Sequence, residues 1–245
     1  MSGPVALHGG GEFAAGDEPC LEVMLELAAR HAGRDRAIRI AVVPTAAARW
    51  NPKESGAHGV AAFGRVAVDL GLAAAATAVM ILDAASAAVP ELAARLAEAD
   101  LVYFLGGDPD VIVTVMPGSP AWASILRARD GGAVLGGTSA GAMALAPWTW
   151  TPDGGAPGLD VVPGIAVRPH ADAATWEAVV DRFGAGAPSG LGVLGIPERT
   201  AAISDDVTAD PIAWRVVGDA EVRWQAVRGG PTIVTAPGGV FTTGR

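Results

Sequence analysis

The chain has 245 residues, of which 51% are apolar and 18% charged, and its formal net charge is −9. This balance excludes a disordered chain, and the absence of clustered basic residues argues against a nucleic-acid partner. No apolar run is long enough to span a bilayer, and residues 1–20 lack the pattern of a signal peptide, so we expect a cytoplasmic protein without a membrane partner.

Short apolar runs alternate with helical patterns up to about residue 145. The runs typical of strands are Val5–Leu7, Ile38–Val43, Val79–Leu82, Leu101–Leu105 and Ala133–Leu135. The segments typical of helices are Glu18–His31, Glu54–Leu70, Ala85–Ala97, Val111–Met116, Ala121–Arg129 and Ala140–Leu145. Strands separated by helices predict a mostly parallel sheet with helices on both faces, which is a three-layer α/β/α fold.

The pattern changes after about residue 200. The segments "TAAISDD", "AWRVVG", "AEVRWQAV" and "PTIVTAP" are short, rich in valine and separated by Asp, Gly and Pro. They predict antiparallel strands that close one side of the same domain. No repeat or linker divides the chain, so we expect one domain over residues 1–245. Cys20 is the only cysteine, which excludes an internal disulfide and a cysteine-based zinc site.

A candidate nucleophile lies between a predicted strand and a predicted helix. Gly137-Thr138-Ser139-Ala140-Gly141 fits G-x-S-x-G, a sharp turn in which small neighbours leave the serine hydroxyl exposed at a helix N-terminus. The alternative interpretation is that these small residues only let the helix pack close to the sheet. The strand before the turn and the helix after it favour Ser139 as a nucleophile.

A serine nucleophile requires a base and usually an acid that orients the base. His170 follows the strand-like run "GIAVRPH" and is the only histidine after Ser139, whereas His8, His31 and His58 have the surroundings of structural or surface residues. For the acid the sequence offers Asp153 and Asp160 between the serine and the histidine, with Asp172 as a third choice. We prefer Asp153, because its loop can reach the site.

Several segments resemble one known family. "GGTSAGAMAL" resembles the nucleophile segment of the serine peptidases that include dipeptidase E and cyanophycinase, which have a flavodoxin-like fold shared with class I glutamine amidotransferases. In the same order, "VALHGGGEF", "DLVYFLGGDPDVIVTVM", "GLDVVPGIAVRPH" and "LGIPERTAAISDD" resemble four further segments of that family. The resemblance covers roughly residues 4 to 220.

The resemblance implies an activity and a set of site residues. It implies Ser139 as nucleophile, His170 as general base, and an oxyanion hole from the backbone N–H groups of Gly107, Asp108 and Ala140. The substrates implied are short peptides or related small amides, with no metal and no organic cofactor. The acid varies within the family, so Asp153 stays a hypothesis. The oligomeric state is not indicated, and a homodimer stays open.

The chain departs from the cyanophycinase pattern at two places. Pro109 stands where cyanophycinases commonly have glutamine, and Arg168-Pro169 stands where they have aspartate-glutamine. Those side chains help to hold an aspartyl-arginine substrate, so we do not expect cyanophycinase activity. An arginine in place of a carboxylate favours anionic substrate groups, unless Arg168 points to solvent. We therefore treat Arg168 and Pro109 as candidate substrate-binding residues.

Three alternative functions remain. An α/β-hydrolase esterase shares G-x-S-x-G, but its histidine normally lies near the C-terminus, and here the chain continues from His170 to residue 245. A dinucleotide-binding domain is suggested by Gly9-x-Gly11-x-x-Ala14, but the second strand lacks the acidic residue that should follow it. A non-catalytic family member with a scaffolding or ligand-binding role is suggested by the unusual Pro109 and Arg168.

Overall fold

The computed structural model describes residues 2–33, 35–226 and 230–244. The strands are β1 (Val5–His8), β2 (Ile38–Val43), β3 (Ala74–Ala78), β4 (Leu101–Phe104), β5 (Val134–Thr138), β6 (Trp148–Thr149), β7 (Ala156–Pro157), β8 (Ile165–Pro169), β9 (Gly192–Ile196), β10 (Thr200–Ser204), β11 (Ile212–Gly218), β12 (Val222–Gln225), β13 (Thr232–Thr235) and β14 (Val240–Thr243). The helices are α1 (Glu18–Ala32), α2 (Pro52–Asp69), α3 (Ala84–Ala87), α4 (Pro90–Ala97), α5 (Pro109–Val115), α6 (Pro120–Asp130), α7 (Ala140–Leu145) and α8 (Trp176–Gly186), with 3₁₀ turns at Thr45–Ala47 and Ala173–Thr175.

The main sheet of the described residues has eight strands in the order β14-β11-β10-β1-β5-β4-β2-β3. The five strands from β1 to β3 in this order are parallel, and β10, β11 and β14 extend the sheet as antiparallel strands. The predicted mostly parallel sheet with an antiparallel C-terminal region is therefore confirmed. The carboxyl ends of β1, β4 and β5 meet at one edge, which is where ligands bind in such sheets.

Helices cover both faces of this sheet, because alternate side chains of each buried strand point to opposite faces. On one face α1 and α2 pack against Ile40, Val42 and Tyr103. On the other face α4, α5, α6 and α7 pack against Val43 and Phe104. The result is the predicted α/β/α arrangement. Among the described helices, none is both long and apolar enough to cross a membrane.

A second, smaller sheet lies beyond the nucleophile helix. Its described strands are in the order β13-β12-β9-β8, with β8 and β9 parallel and the others antiparallel. Trp148, Trp176 and Val180 pack with buried residues of β8 and β9 beside α7. This sheet matters for the site because its strands β8 and β9 end close to the carboxyl edge of the main sheet.

The structure corrects three details of the predicted elements. The strand predicted at Val79–Leu82 is wrong: the edge strand is β3, in which the exposed Ala75 and Thr77 alternate with partly buried alanines. Val79 and Ile81 are buried just after it. The helix predicted at Ala85–Ala97 is two helices, because Pro90 cannot continue α3 and begins α4 instead. Helix α8 and strand β14 carried no clear sequence signal. Val227, at the end of the predicted segment 220–227, lies outside the described residues.

Candidate active site

Ser139 lies in a strained turn between β5 and α7. Its backbone has φ 50° and ψ −116°, which is rare for a residue with a side chain, and its N–H donates to the carbonyl of His8 at 2.9 Å. A Cβ on Gly137 would lie 2.6 Å from the backbone carbon of Gly141, so α7 packs directly on β5. The small residues therefore do both things the sequence suggested: they allow close packing, and they leave the hydroxyl partly exposed.

His170 is within hydrogen-bond distance of Ser139. Its Nε2 lies 2.9 Å from Ser139 Oγ, and the imidazole is 43% exposed. The residue follows the last residue of β8 in a left-handed conformation with φ 50°, and its N–H donates to the carbonyl of Gly9 at 2.8 Å. The strand end and this backbone hydrogen bond together aim the imidazole at the serine.

The carboxylate against His170 belongs to Glu198, in the turn between β9 and β10. Its Oε1 lies 2.9 Å from His170 Nδ1, so serine, imidazole and carboxylate form a continuous chain. Such a chain can move a proton from the hydroxyl to the imidazole and hold the ring in one tautomer.

The three aspartates considered from the sequence lie elsewhere. Asp153 is exposed in the loop between β6 and β7, and among the described residues it forms no hydrogen bond with His170. The Asp160 backbone has φ 53° and hydrogen-bonds to Ala146, and the Asp172 carboxylate accepts the N–H of Ala174. We expected the acid mainly between the serine and the histidine, whereas Glu198 lies in a later segment, where its expected role was to support the loop. The segment "GIPERT" was the available signal, since the family resemblance had already picked it out.

Three consecutive carbonyls at the end of β1 hold the three segments of the site together. The carbonyls of His8, Gly9 and Gly10 accept the N–H groups of Ser139, His170 and Arg199 at 2.9, 2.8 and 2.7 Å. Gly10 has φ +114°, and a Cβ there would lie 2.2 Å from the Cε1 atom of His170. Gly9 and Gly11, which suggested a dinucleotide fingerprint, instead allow a close approach to the turn after β9: a Cβ on Gly9 would lie 1.9 Å from the carbonyl oxygen of Pro197, and one on Gly11 3.1 Å from Glu198 Cβ.

The comparisons with known proteins identify the family of the chain. The sequence model of peptidase family S51 matches residues 5–210, a range that contains Ser139, His170 and Glu198. The chain belongs to peptidase family S51. It is therefore a serine peptidase that acts on peptides. A comparison with curated proteins gives no significant match.

Two solved structures share the fold of this S51 peptidase. A peptidase from an acI-B1 Actinobacterium is 24% identical, with a TM-score of 0.80 over 99% of this chain and 97% of that chain. A Listeria monocytogenes EGD-e protein assigned to peptidase E is 15% identical, with a TM-score of 0.54 over 93% of this chain and 100% of that chain. At these identities the structures establish the fold, while the family match establishes the class of enzyme.

Two backbone N–H groups of the S51 peptidase are candidates to face an oxyanion. Gly107 must be glycine, because it has φ +139° and a Cβ there would lie 2.2 Å from the carbonyl oxygen of Ala46. That same carbonyl accepts the N–H of Asp108 at 2.8 Å, so Asp108, expected as an oxyanion donor, has its N–H already in use. Gly107 and Ala140, the first residue of α7, remain as candidate donors.

The two candidate substrate-binding residues flank this site. Pro109 is the first residue of α5, directly after Asp108, whose carboxylate accepts the indole N–H of Trp50 at 3.2 Å. Arg168 lies in β8 two residues before His170, half-buried, and its Nε has no hydrogen-bond partner in the described structure. Desolvation, with a smaller contribution from the nearby charge of Arg182, lowers the pKa of Arg168 below its usual value.

A buried polar cluster lies beneath the site. His8 Nε2 is 2.9 Å from an oxygen of Asp17, and His8 Nδ1 is 2.8 Å from the Tyr103 hydroxyl. The sulfur of Cys20 is close to both groups, and together the three side chains have the donor atoms of a metal site. However, burial raises the pKa of the Cys20 thiol well above its usual value, and the histidine and aspartate already bind each other. The cluster therefore serves as a buried support and does not supply a nucleophile.

Proposed function

We propose that this peptidase cleaves amide bonds of short peptides, or of related small amides, by acyl transfer to Ser139. The observation that carries the proposal is the chain of two 2.9 Å contacts, from Ser139 Oγ to His170 Nε2 and from His170 Nδ1 to Glu198. Nucleophile, base and orienting acid are the complete set that amide hydrolysis by a serine requires. The set works without a metal or an organic cofactor.

The proposed reaction has two halves. In the first half, Ser139 Oγ adds to the substrate carbonyl while His170 Nε2 takes its proton, and the N–H groups of Gly107 and Ala140 hold the negative oxygen. His170 then gives the proton to the leaving amine, which departs and leaves an acyl-serine ester. In the second half, water adds to the ester, with His170 again taking and returning the proton. Throughout, Glu198 accepts a hydrogen bond from Nδ1 and stabilises the charged imidazole.

We also propose the size of the substrate, the domain organisation and the cellular location of the enzyme. The family resemblance, together with the small residues around Ser139, favours short peptides over folded proteins. We treat residues 1–245 as one hydrolytic unit, because Glu198 joins β9 of the second sheet to β10 of the main sheet. We propose that Arg168 and Pro109 contact the substrate. The single buried thiol of Cys20 fits the reducing cytoplasm. We expect no nucleic-acid partner, and a homodimer stays open.

The proposal is tested by covalent labelling followed by a dipeptide library. A fluorophosphonate probe should label the wild type and not Ser139→Ala, with Ser55→Ala in helix α2 as a control that is labelled normally. Hydrolysis of the best dipeptide should fall by about 10⁴-fold or more in Ser139→Ala. Labelling that persists in Ser139→Ala would show that another residue is the nucleophile and would rule the proposal out. Rapid turnover of p-nitrophenyl acetate with no dipeptide cleaved would rule it out in favour of an esterase.

A further inference from the structure

A carboxylate that the proposed mechanism does not use lies beside the nucleophile. Gly106 separates the two: a Cβ built on Gly106 would lie 3.1 Å from Glu12 Oε1, and 3.3 and 3.7 Å from the Cβ and Oγ atoms of Ser139. Glu12 is partly exposed, and its Oε1 and Ser139 Oγ both border the space that a side chain at Gly106 would occupy. It lies next to the Gly107 turn, where the oxyanion of the proposed reaction would form.

The position of Glu12 is fixed from two sides. Its Oε2 accepts a hydrogen bond from the buried hydroxyl of Thr138 at 3.2 Å. The next residue, Phe13, is held in a left-handed conformation with φ 68°, its N–H donates to the carboxylate of Asp17 at 2.9 Å, and its ring packs against Phe63. Asp17 is in turn paired with the buried His8 described above. A strained conformation with this much support points to a function for the loop.

No positive group among the described residues neutralises this carboxylate. Within the described part of the chain, Glu12 forms no ion pair with a lysine, arginine or histidine, whereas Asp108 and Asp110 across the same turn are both close to Arg49. An unpaired negative charge beside a forming oxyanion raises the barrier of acyl transfer. The cost disappears when the substrate itself brings a positive charge to that position.

We propose that Glu12 binds a cationic group of the substrate that lies next to the scissile carbonyl, namely the free α-ammonium of the acyl residue. In a peptide with a free amino terminus this nitrogen is two bonds from the carbonyl carbon that Ser139 attacks, so it is the substrate cation nearest to the reacting centre. Glu12 thereby selects peptides that are cleaved after their first residue. This inference rests on the proposed function of Ser139, and it assigns a recognition role to a residue outside the triad.

The first test combines a substitution with a change of substrate. Wild type and Glu12→Gln are compared on one dipeptide amide with a free amino group and on its N-acetylated form. Glutamine keeps the shape and the oxygen that accepts from Thr138, so the fold and the hydrogen bond should persist. We expect Glu12→Gln to lower kcat/KM on the free-amine substrate by about 10- to 100-fold and to leave the acetylated substrate unchanged or slightly improved. Glu26→Gln, on the exposed side of α1, should leave both rates unchanged.

A pH profile gives an independent readout. The wild-type preference for the free amine should decline above about pH 8, where an α-amino group loses its proton, while hydrolysis of the acetylated substrate shows no such decline. In Glu12→Gln this difference between the two profiles should vanish. Equal losses on both substrates in Glu12→Gln, or a preference that does not depend on the amine's proton, would overturn the inference.

The second test removes catalysis, so that recognition and chemistry fail separately. In the Ser139→Ala background, calorimetry should show that the free-amine dipeptide binds about 10-fold or more tightly than its acetylated form, and that adding Glu12→Gln abolishes the difference. If Ser139→Ala binds the two peptides equally well while the wild type still hydrolyses dipeptides, the role of Glu12 alone is overturned. A preserved binding difference together with an unlabelled, inactive wild type overturns the proposed hydrolysis and supports the amine site.

Discussion

Ser139 lies between β5 and α7, which are buried along their whole length. β5 belongs to the parallel half of the main sheet, and α7 packs on it. In contrast, the side chains of His170 and Glu198 are 43% and 56% exposed, and they follow strands of the second sheet. Packing fixes the first region, whereas the second depends on a few backbone hydrogen bonds to glycine carbonyls. Substitutions in the second region should therefore change activity far more than stability.

The largest effect is expected at the orienting acid. Glu198→Gln should lower kcat by about 10²- to 10⁴-fold, because glutamine cannot stabilise the charged imidazole of His170 and can stabilise the wrong tautomer. Asp153→Asn is the matched control, and it should retain wild-type kinetics. Both variants should unfold at the wild-type temperature, since both side chains are exposed. If Asp153→Asn loses activity and Glu198→Gln does not, the acid in the functional enzyme is Asp153.

The glycine that contacts the imidazole gives the next largest effect. Gly10→Ala places a methyl group 2.2 Å from His170 Cε1, so the ring must move away from Ser139, and a displacement of about 1 Å costs on the order of 10²-fold in rate. Gly33→Ala is the control, because Gly33 also has a left-handed backbone (φ +76°) but a Cβ there has no neighbour within 4 Å. The two variants should lose similar stability, measured by denaturant unfolding. Only Gly10→Ala should lose activity, and equal activity would contradict the close contact.

The same contrast explains what the sequence could predict. The nucleophile turn was predictable because its signals are local: an apolar strand, small residues around one serine, and a helix, all within a few positions. The parallel arrangement of β1, β2, β4 and β5 followed from the alternation of strands and helices, whereas their order in the sheet had no signal in the sequence. His170 was found as the only histidine after Ser139, at the end of a strand-like run.

Glu198 was not predicted as the acid, because the family resemblance marks its segment but no neighbouring residue distinguishes an orienting acid from another loop carboxylate. Its partnership with His170 depends on β8 and β9 lying side by side, which is a tertiary contact. The hydrogen bond of the Asp108 N–H could not be predicted for the same reason, since its acceptor, the carbonyl of Ala46, is distant in sequence. Edge strand β3 was misplaced because alanines at a half-exposed edge carry little hydrophobic signal.

A smaller effect, on stability alone, is expected at the opposite edge of the sheet. Asp100 is 1% exposed and accepts two hydrogen bonds from Arg36, at 2.6 and 2.7 Å, and one from the N–H of Arg39. Burial raises the pKa of Asp100, but these hydrogen bonds outweigh it and hold the pKa below its usual value. Asp100→Asn should cost about 2 kcal/mol of unfolding free energy at pH 7 and leave kcat unchanged.

The pH dependence of this effect follows from the sign of the shift. A carboxylate with a lowered folded-state pKa stabilises the protein above its unfolded pKa of about 3.9, and this stabilisation is lost as the pH falls through the folded value. The difference in unfolding free energy between wild type and Asp100→Asn should therefore be constant near neutrality and shrink below about pH 4. A difference that stays constant down to pH 2 would contradict the hydrogen-bonded carboxylate.

The smallest effect is expected at Arg168. This residue lies in β8, two residues before His170, and so belongs to the region of His170 and Glu198. Its half-buried guanidinium has an unpartnered Nε and lies near the positive charge of Arg182. A cation kept in these surroundings gains from an anionic substrate group. Arg168→Ala should lower kcat/KM on acidic dipeptides by about 10-fold and on neutral dipeptides hardly at all, with Arg30→Ala on α1 as a control. Equal losses on both substrates would mean that Arg168 supports β8 by packing, and that the substrate contact at this edge belongs to other residues.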